Sequence, residues 1–315
     1  MAPLTNSTAR VVDPVLSQFT RGYRQAGLIA EELFPRAYVP VRGFKTIRFG
    51  KESFRRYQTR RSPGTATKRI TYGYESDPAK LYQHALDAVV PREHVGEAEA
   101  GPGINLKQGA ARLVMDVMQL DAEIQAAELA TNEANYGDDN KDTLSGSDQW
   151  DHADSKPKDV IKEGKEAVRK RIGREPNKLI LPKPVFNALD DHPALLEKLK
   201  YTSSDNVTAE LLARYFGVSK VVVADGVFAD SNDDDDDFTD VWGNFAILAY
   251  VPEGERQDVQ VPSFGYTYTL EGHPFAEVER WDADSKSWIN GITDERSAEF
   301  VGSDAGYLIS DVLGG

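Results

Sequence analysis

Residues 106–133 read LKQGAARLVMDVMQLDAEIQAAELATNE. Leu106, Ala110, Leu113, Val117, Leu120, Ile124 and Ala127 recur in steps of three and four, which lays one apolar stripe along a helix. Val114 and Met118 widen the stripe. Lys107, Arg112, Asp116, Asp121, Glu123 and Glu128 fall mostly on the other faces. Pro102 and Gly103 precede the segment, and Gly137 stands past it as a stop signal. A helix of about 28 residues spans roughly 40 Å, far beyond the ordinary soluble helix. The spacing predicts the spine of an extended, flattened subunit. A coiled coil fits less well, because the pattern stops abruptly at a polar loop.

The 315 residues suffice for a full core and two lobes. There is no cysteine, hence no disulfide, thiolate zinc site or cysteine nucleophile. The opening residues MAPLTNSTARVVD lack the apolar core of a signal peptide, and no apolar run approaches 18 residues, so no membrane contact is expected. The net charge of −14 is unevenly placed. Residues 1–80 carry 15 Lys/Arg against 6 Asp/Glu, a net of +9, so the remaining chain carries −23. A basic end on an acidic body points to contact with acid, either nucleic acid or another copy of the chain.

Residues 1–40 hold large apolar side chains at irregular spacing, as an arm laid over other structure would, with a short helix over Ile29–Leu33 ending at Pro35. Residues 41–80 are expected to form a long hairpin. Two β-type runs, one around Phe44–Phe49 and one over Lys68–Tyr74, flank the turn residues Ser62, Pro63 and Gly64. Between Arg42 and Arg69 its basic residues are Arg42, Lys45, Arg48, Lys51, Arg55, Arg56, Arg60, Arg61, Lys68 and Arg69, and the one acid in that span is Glu52. So few aliphatics cannot build a core, and an isolated hairpin is marginal in water. It needs a partner: another subunit, nucleic acid, or, with no special role, solvent alone. The ten basic residues are candidate inter-subunit contacts.

Strand and helix alternate over residues 157–261. Helices are predicted at Asp159–Arg171, Pro184–Leu189, Leu195–Leu199 and Thr208–Phe216, with buried strands at Asn177–Pro182, Lys220–Ala224 and Asn244–Val251. This describes one α/β lobe with a central sheet. Before it, Gly137–Lys158 is a polar loop anchored by Trp150. After it, Phe264–Leu270, Phe275–Trp281, Glu299–Val301 and Tyr307–Val312 read as strands that return to pack on the long helix. Asp233, Asp234, Asp235, Asp236 and Asp237 stand in a row in a loop of the α/β lobe. Five like charges make a solvated loop, without the ligand order of a calcium site.

No dinucleotide, phosphate-loop, nucleophile-elbow or zinc-protease motif is present, and His84, His94, His152, His192 and His273 lie far apart in sequence. No enzyme activity, cofactor or metal is expected.

The order of parts resembles the major capsid protein of tailed bacteriophages, a fold shared with encapsulins. The stretch Asn177–Asp190 (NKLILPKPVFNALD) and the ending GSDAGYLISDV are similar to members of that family. The resemblance implies an α+β phage-capsid fold with an N-terminal arm (1–40) and an extended β-hairpin, the E-loop (41–80). A peripheral domain with the spine helix (81–156 and 262–315) and an α/β axial domain (157–261) complete it. It further implies self-assembly into hexamers and pentamers of an icosahedral virion shell around double-stranded DNA, without sequence-specific binding. A portal, a separate scaffolding protein and a decoration protein are the other implied partners. An encapsulin-like compartment and a nucleic-acid-binding protein using the hairpin are the alternatives.

Overall fold

Ser287–Phe300 (SWINGITDERSAEF) form the strand on which the larger of two sheets is built, although no apolar run marks it. The computed structural model describes residues 12–13, 27–48, 60, 75–95, 106–199, 207–229, 238–252 and 263–314. In chain order the elements are β1 (Val12–Asp13), α1 (Ala30–Leu33), β2 (Arg36–Val39), β3 (Gly43–Arg48), β4 (Glu75–Lys80) and β5 (Tyr82–Pro91). Then come α2 (Leu106–Thr131), β6 (Lys141–Thr143), α3 (Pro157–Ile172), β7 (Lys178–Pro182), α4 (Lys183–Asp190), α5 (Pro193–Leu199) and α6 (Ala209–Phe216). The chain closes with β8 (Lys220–Ala224), β9 (Val227–Phe228), β10 (Thr239–Asp240), β11 (Phe245–Ala249), β12 (Gly265–Leu270), β13 (Phe275–Glu277), β14 (Arg280–Asp282), β15 (Ser287–Phe300) and β16 (Gly306–Ser310). No described helix is long and apolar enough to cross a membrane.

In the larger sheet, β15 pairs antiparallel along one side with β5, from Ser287↔Pro91 to Arg296↔Tyr82. Its other side carries β14, β13 and β12 in turn. The parallel strand β2 extends β12, and β1 pairs β13. The second sheet runs β6-β16-β11-β7-β8. Its strands β7 and β16 are buried throughout, as continuous apolar runs should be when both faces are covered.

Helices α3, α4 and α6 cover one face of this second sheet, with Trp150, Ile161, Val168, Leu181, Phe216 and Leu248 in the shared core. α3 starts with Pro157 in its first turn and ends at Gly173, whose φ of 71° supplies the left-handed cap. The other face packs against α1 and the C-terminal half of α2, through Leu33, Phe34, Ala126, Ala127 and Ala130. The N-terminal half of α2 lies on β5 and β15 through Val114, Met115 and Met118. The long helix is thus a spine that joins the two sheets.

Two expectations are corrected. First, the stripe of α2 that meets its own sheets is Ala111, Val114, Met115, Met118, Ala126, Ala127 and Ala130, while Leu113 and Val117 are exposed. The helix is apolar around most of its girth, and periodicity alone does not say which side meets the sheet. Glu123, placed on an outer face, is buried. Second, β16 and β6 join the α/β sheet by pairing with β11 and with each other. The closing strand does pack on the long helix, Leu308 sharing a core with Ala126, Ala127 and Ala130, but its backbone partners belong to the α/β sheet. The base of the expected hairpin pairs β3 with β4, from Gly43↔Lys80 to Arg48↔Glu75. The expected second run, Lys68–Tyr74, lies outside the described residues.

Gly265 is where β12 meets the arm. A Cβ there would lie 2.4 Å from the Phe34 ring and 2.8 Å from the Glu299 carbonyl. Gly265→Ala is expected to cost about 1–3 kcal/mol through overpacking, read as a lower midpoint in denaturant unfolding.

The hairpin root as candidate functional site

Of the residues that sequence reasoning singled out, Arg42, Lys45 and Arg48 lie at the base of the hairpin. Arg42 sits between β2 and β3. Its guanidinium grips the Glu295 carboxylate with both arms, Nε to Oε2 at 2.7 Å and Nη2 to Oε1 at 2.5 Å. The Arg42 carbonyl accepts a bond from the Leu81 amide on the returning strand, at 2.9 Å. Phe44 packs on Tyr268 of β12, with ring centroids 4.4 Å apart. Two strands, an aromatic pair and a forked ion pair therefore fix the angle at which the hairpin leaves the body.

Of the ten candidate basic residues, Arg42 is engaged within its own chain. Lys45 and Arg60 are exposed. Arg48 lies opposite Glu75 in the β3–β4 register. Lys51, Arg55, Arg56, Arg61, Lys68 and Arg69 lie outside the described residues, as do Asp233, Asp234, Asp235, Asp236 and Asp237 of the acidic loop. That loop is bracketed by the antiparallel pair β9–β10, inserted between two of the predicted strands.

Behind Arg42 runs a charge network that the sequence did not reveal. Glu295 is buried and also faces His273 Nε2, 3.8 Å away. The Arg42 hydrogen bonds hold the Glu295 carboxyl below the usual carboxylate range. Arg296, next in the strand, points to the opposite face. Its Nη2 donates to Asp121 of α2 at 2.9 Å, and its Nη1 stands 3.5 Å from Asp294. Arg36 of β2 reaches Asp294 at 3.7 Å and donates from Nε to Glu31 of α1 at 2.8 Å. Burial lowers the Arg296 pKa, and burial together with Arg296 lowers that of His84, 3.6 Å from Asp121. The consecutive Asp294, Glu295 and Arg296 are each buried on the central strand, so β15 is held by paired charge where a core strand would use aliphatics.

A second joint ties the arm to both sheets. Glu123 is 1% exposed. Its carboxylate accepts from the amides of Ile29 and Ala30 at 2.8 and 2.7 Å and from Trp242 Nε1 at 2.6 Å. It thereby satisfies amides at the start of the four-residue helix α1, which has no cap of its own. Burial nevertheless pushes the Glu123 carboxyl above its usual value. One turn on, Glu32 accepts from Lys178 of β7 and Lys220 of β8, both at 2.6 Å. Burial pushes Glu32 up, but the two lysines outweigh it and hold the carboxyl low.

The fold does bring one histidine to a serine. His192 Nε2 lies 3.0 Å from Ser155 Oγ, and His192 Nδ1 accepts from the Ala194 amide at 3.2 Å. That acceptor role leaves the proton on Nε2, so the imidazole donates to the hydroxyl. Both residues are buried. A general base would need the reverse arrangement and access to substrate. The pair caps α5 and ties it to the loop before α3. Among the described residues no group of three or more His, Asp or Glu is placed to hold a metal ion.

Comparison with known proteins places this architecture. Residues 113–295 match the family model described as phage major capsid protein E. The major capsid protein of Burkholderia phage BcepMu is 36% identical over 312 residues, covering 98% of this chain and 99% of that one. A crystal structure of a phage-related protein from Bordetella bronchiseptica RB50 superposes with a TM-score of 0.83 at 43% identity, covering 96% of this chain and 98% of that one. The capsid structure of cyanophage P-SCSP1u superposes with a TM-score of 0.56 at 9% identity, over 98% of this chain and 93% of that one, and so shares the fold. A spine helix bridging two sheets, a rooted basic hairpin and a helix-covered α/β lobe are thus the parts of a virion shell subunit, and the chain belongs to the phage major capsid protein family.

Proposed function

We propose that copies of this chain assemble head to tail, the basic hairpin of one lying on the acidic body of the next, into hexamers and pentamers of a closed icosahedral shell around double-stranded DNA. The observation that carries this is the root of the hairpin. Arg42, β3, β4 and Phe44 fix the base of this basic stretch to the body of its own chain. A like-to-unlike contact of this kind generates rings. Charge complementarity between the +9 end and the −23 body sets register and encounter rate. DNA is enclosed without sequence-specific contact. A portal and a separate scaffolding protein are the further partners of assembly. The division into arm, hairpin, peripheral and axial parts is kept, with β6 and β16 assigned to the axial sheet.

Lys45→Glu combined with Arg60→Glu tests this. Both residues are exposed, so folding should be unaffected. Assembly, followed by light scattering and electron microscopy, is expected to fall at least tenfold and to become more salt-sensitive, while DNA affinity of the subunits stays weak throughout. Unchanged assembly with lost DNA affinity would instead assign the hairpin to nucleic acid.

A further inference from the structure

Among the described residues, one edge of the long strand β5 is unpaired. β15 pairs with the other edge from Tyr82, opposite Arg296, to Pro91, opposite Ser287. Natural sheets blunt such edges with lysines, prolines, bulges or short length. Here the edge runs ten residues, YQHALDAVVP. Its one formal charge, Asp87, is paired with Arg280 of its own chain, and Leu86 and Val89 are exposed at 40% and 55%.

Above this edge lies the outward flank of the spine helix. Asp121 stands 3.6 Å from His84 on β5. Val117 lies one turn before Asp121 on the same flank, and Leu113 a further turn back, rotated outward. One helical turn and two strand residues both advance about 6 Å. The packing of Met115 and Met118 near Ala88 and Ile292 shows that the helix runs back over β5 toward Val90. Leu113 and Val117, exposed at 62% and 46%, therefore overhang the stretch of β5 that includes Leu86.

We propose that this edge and flank form an isologous contact with a second copy of the chain, the two β5 strands pairing antiparallel about a twofold axis. The spacing supports it. α2 packs on β5 and β15 alike. In the order β15-β5-β5-β15 the two spine helices would lie on one face of a continuous sheet, two strand spacings apart. That separation, roughly 9–10 Å, is the distance at which helices pack. Ala110, Leu113 and Val117 of each copy would fill the gap. Charge supports it too: on a body that carries −23, two copies repel except where the surface is neutral, and β5 is such a place. The contact rests on the shell function proposed above and adds to it, because head-to-tail rings need a second, ring-to-ring contact before they close into a shell.

The chain has no cysteine, so introduced ones report without background. Single cysteines would be placed in turn at Gln83, Ala85, Leu86, Ala88 and Val89, and the protein oxidised. An antiparallel twofold pair brings a residue opposite itself or its neighbour, within disulfide reach. The expected result is a species of twice the 34.9 kDa chain mass at one position or two adjacent ones. No self-link at any of the five overturns the contact. A link formed only when Leu86→Cys is mixed with Lys45→Cys assigns the groove to a neighbour's hairpin and also overturns it. In parallel, Leu113→Glu with Val117→Glu should leave rings intact and cut the yield of closed shells at least tenfold. Shells at the unaltered yield contradict the proposal. Unaltered protein that self-links yet never forms rings or shells would keep this contact and count against the shell function instead.

Discussion

Glu123→Ala is expected to lower the unfolding free energy by about 3–5 kcal/mol, since it leaves two buried N–H donors and one partly buried one without acceptors. Those donors are the amides of Ile29 and Ala30 and the indole of Trp242. The loss is a large share of a typical domain stability of about 5–15 kcal/mol. It also detaches α1 from the spine helix, leaving Glu32 with Lys178 and Lys220 as its remaining polar anchor on the second sheet. Glu123→Gln should cost less. Its oxygen can still accept from Ile29 and Trp242, but its amide nitrogen faces the Ala30 donor. Burial raises the folded-state pKa of Glu123 above the unfolded value. Its stabilising contribution is therefore fully present below the unfolded pKa of about 4.3 and declines as pH rises through the folded value. The gap between the unaltered chain and Glu123→Ala should accordingly be wider at pH 4 than at pH 7, in denaturant unfolding at fixed salt. An equal gap at both pH values would contradict the assigned direction.

Arg296→Ala is expected to cost about 3–5 kcal/mol, because it strands a buried carboxylate. Asp294, whose side chain is 4% exposed, would be left with Arg36 at 3.7 Å as its remaining cationic neighbour. Its Oδ1 has no hydrogen-bond partner even with Arg296 in place. Asp121 would lose its bond from the spine helix to β15 as well. Replacing both members, Arg296→Met with Asp294→Leu, should recover much of the loss, since removing both charges removes the desolvation cost of each. A double-mutant cycle on thermal or denaturant unfolding measures the coupling. Additive losses would show that the two charges are not a pair. Glu295 behaves oppositely to Glu123 with pH. Arg42 depresses its folded pKa, so its contribution is present above the unfolded value and is lost as pH falls through the folded one.

What could be read from the sequence follows from where each element finds its stabilisation. Lys220–Ala224 and the helix over Asp159–Arg171 announce themselves because their apolar residues are local and periodic, and β8 matches its predicted bounds. β15 is illegible for the opposite reason. Its Asp294, Glu295 and Arg296 look like solvent-facing residues, and only partners on β2, α2 and the hairpin root make their burial tolerable. The destination of β16 depends on pairing with β11, some sixty residues away in the chain, which no local pattern encodes. The stripe of α2 was found in part: Val114, Met118 and Ala127 are buried as read, whereas Leu113 and Val117 lie on a second apolar face left exposed. Glu123 did carry a signal: Ala126, Ala127 and Ala130, three, four and seven residues on, mark a close-packed side on which a lone acid needs donors. The basic character of the hairpin was legible from composition alone, and its rooting through Arg42 on Glu295 was not, because the two residues lie 253 positions apart.

The most direct measurement of the central claim is negative-stain electron microscopy of the purified protein beside its mass in solution, alone and with the scaffolding protein proposed above. Closed shells, tubes or rings of five or six are the predicted result. A particle of 34.9 kDa that stays monomeric at high concentration and with scaffold, yet binds DNA tightly, would contradict it.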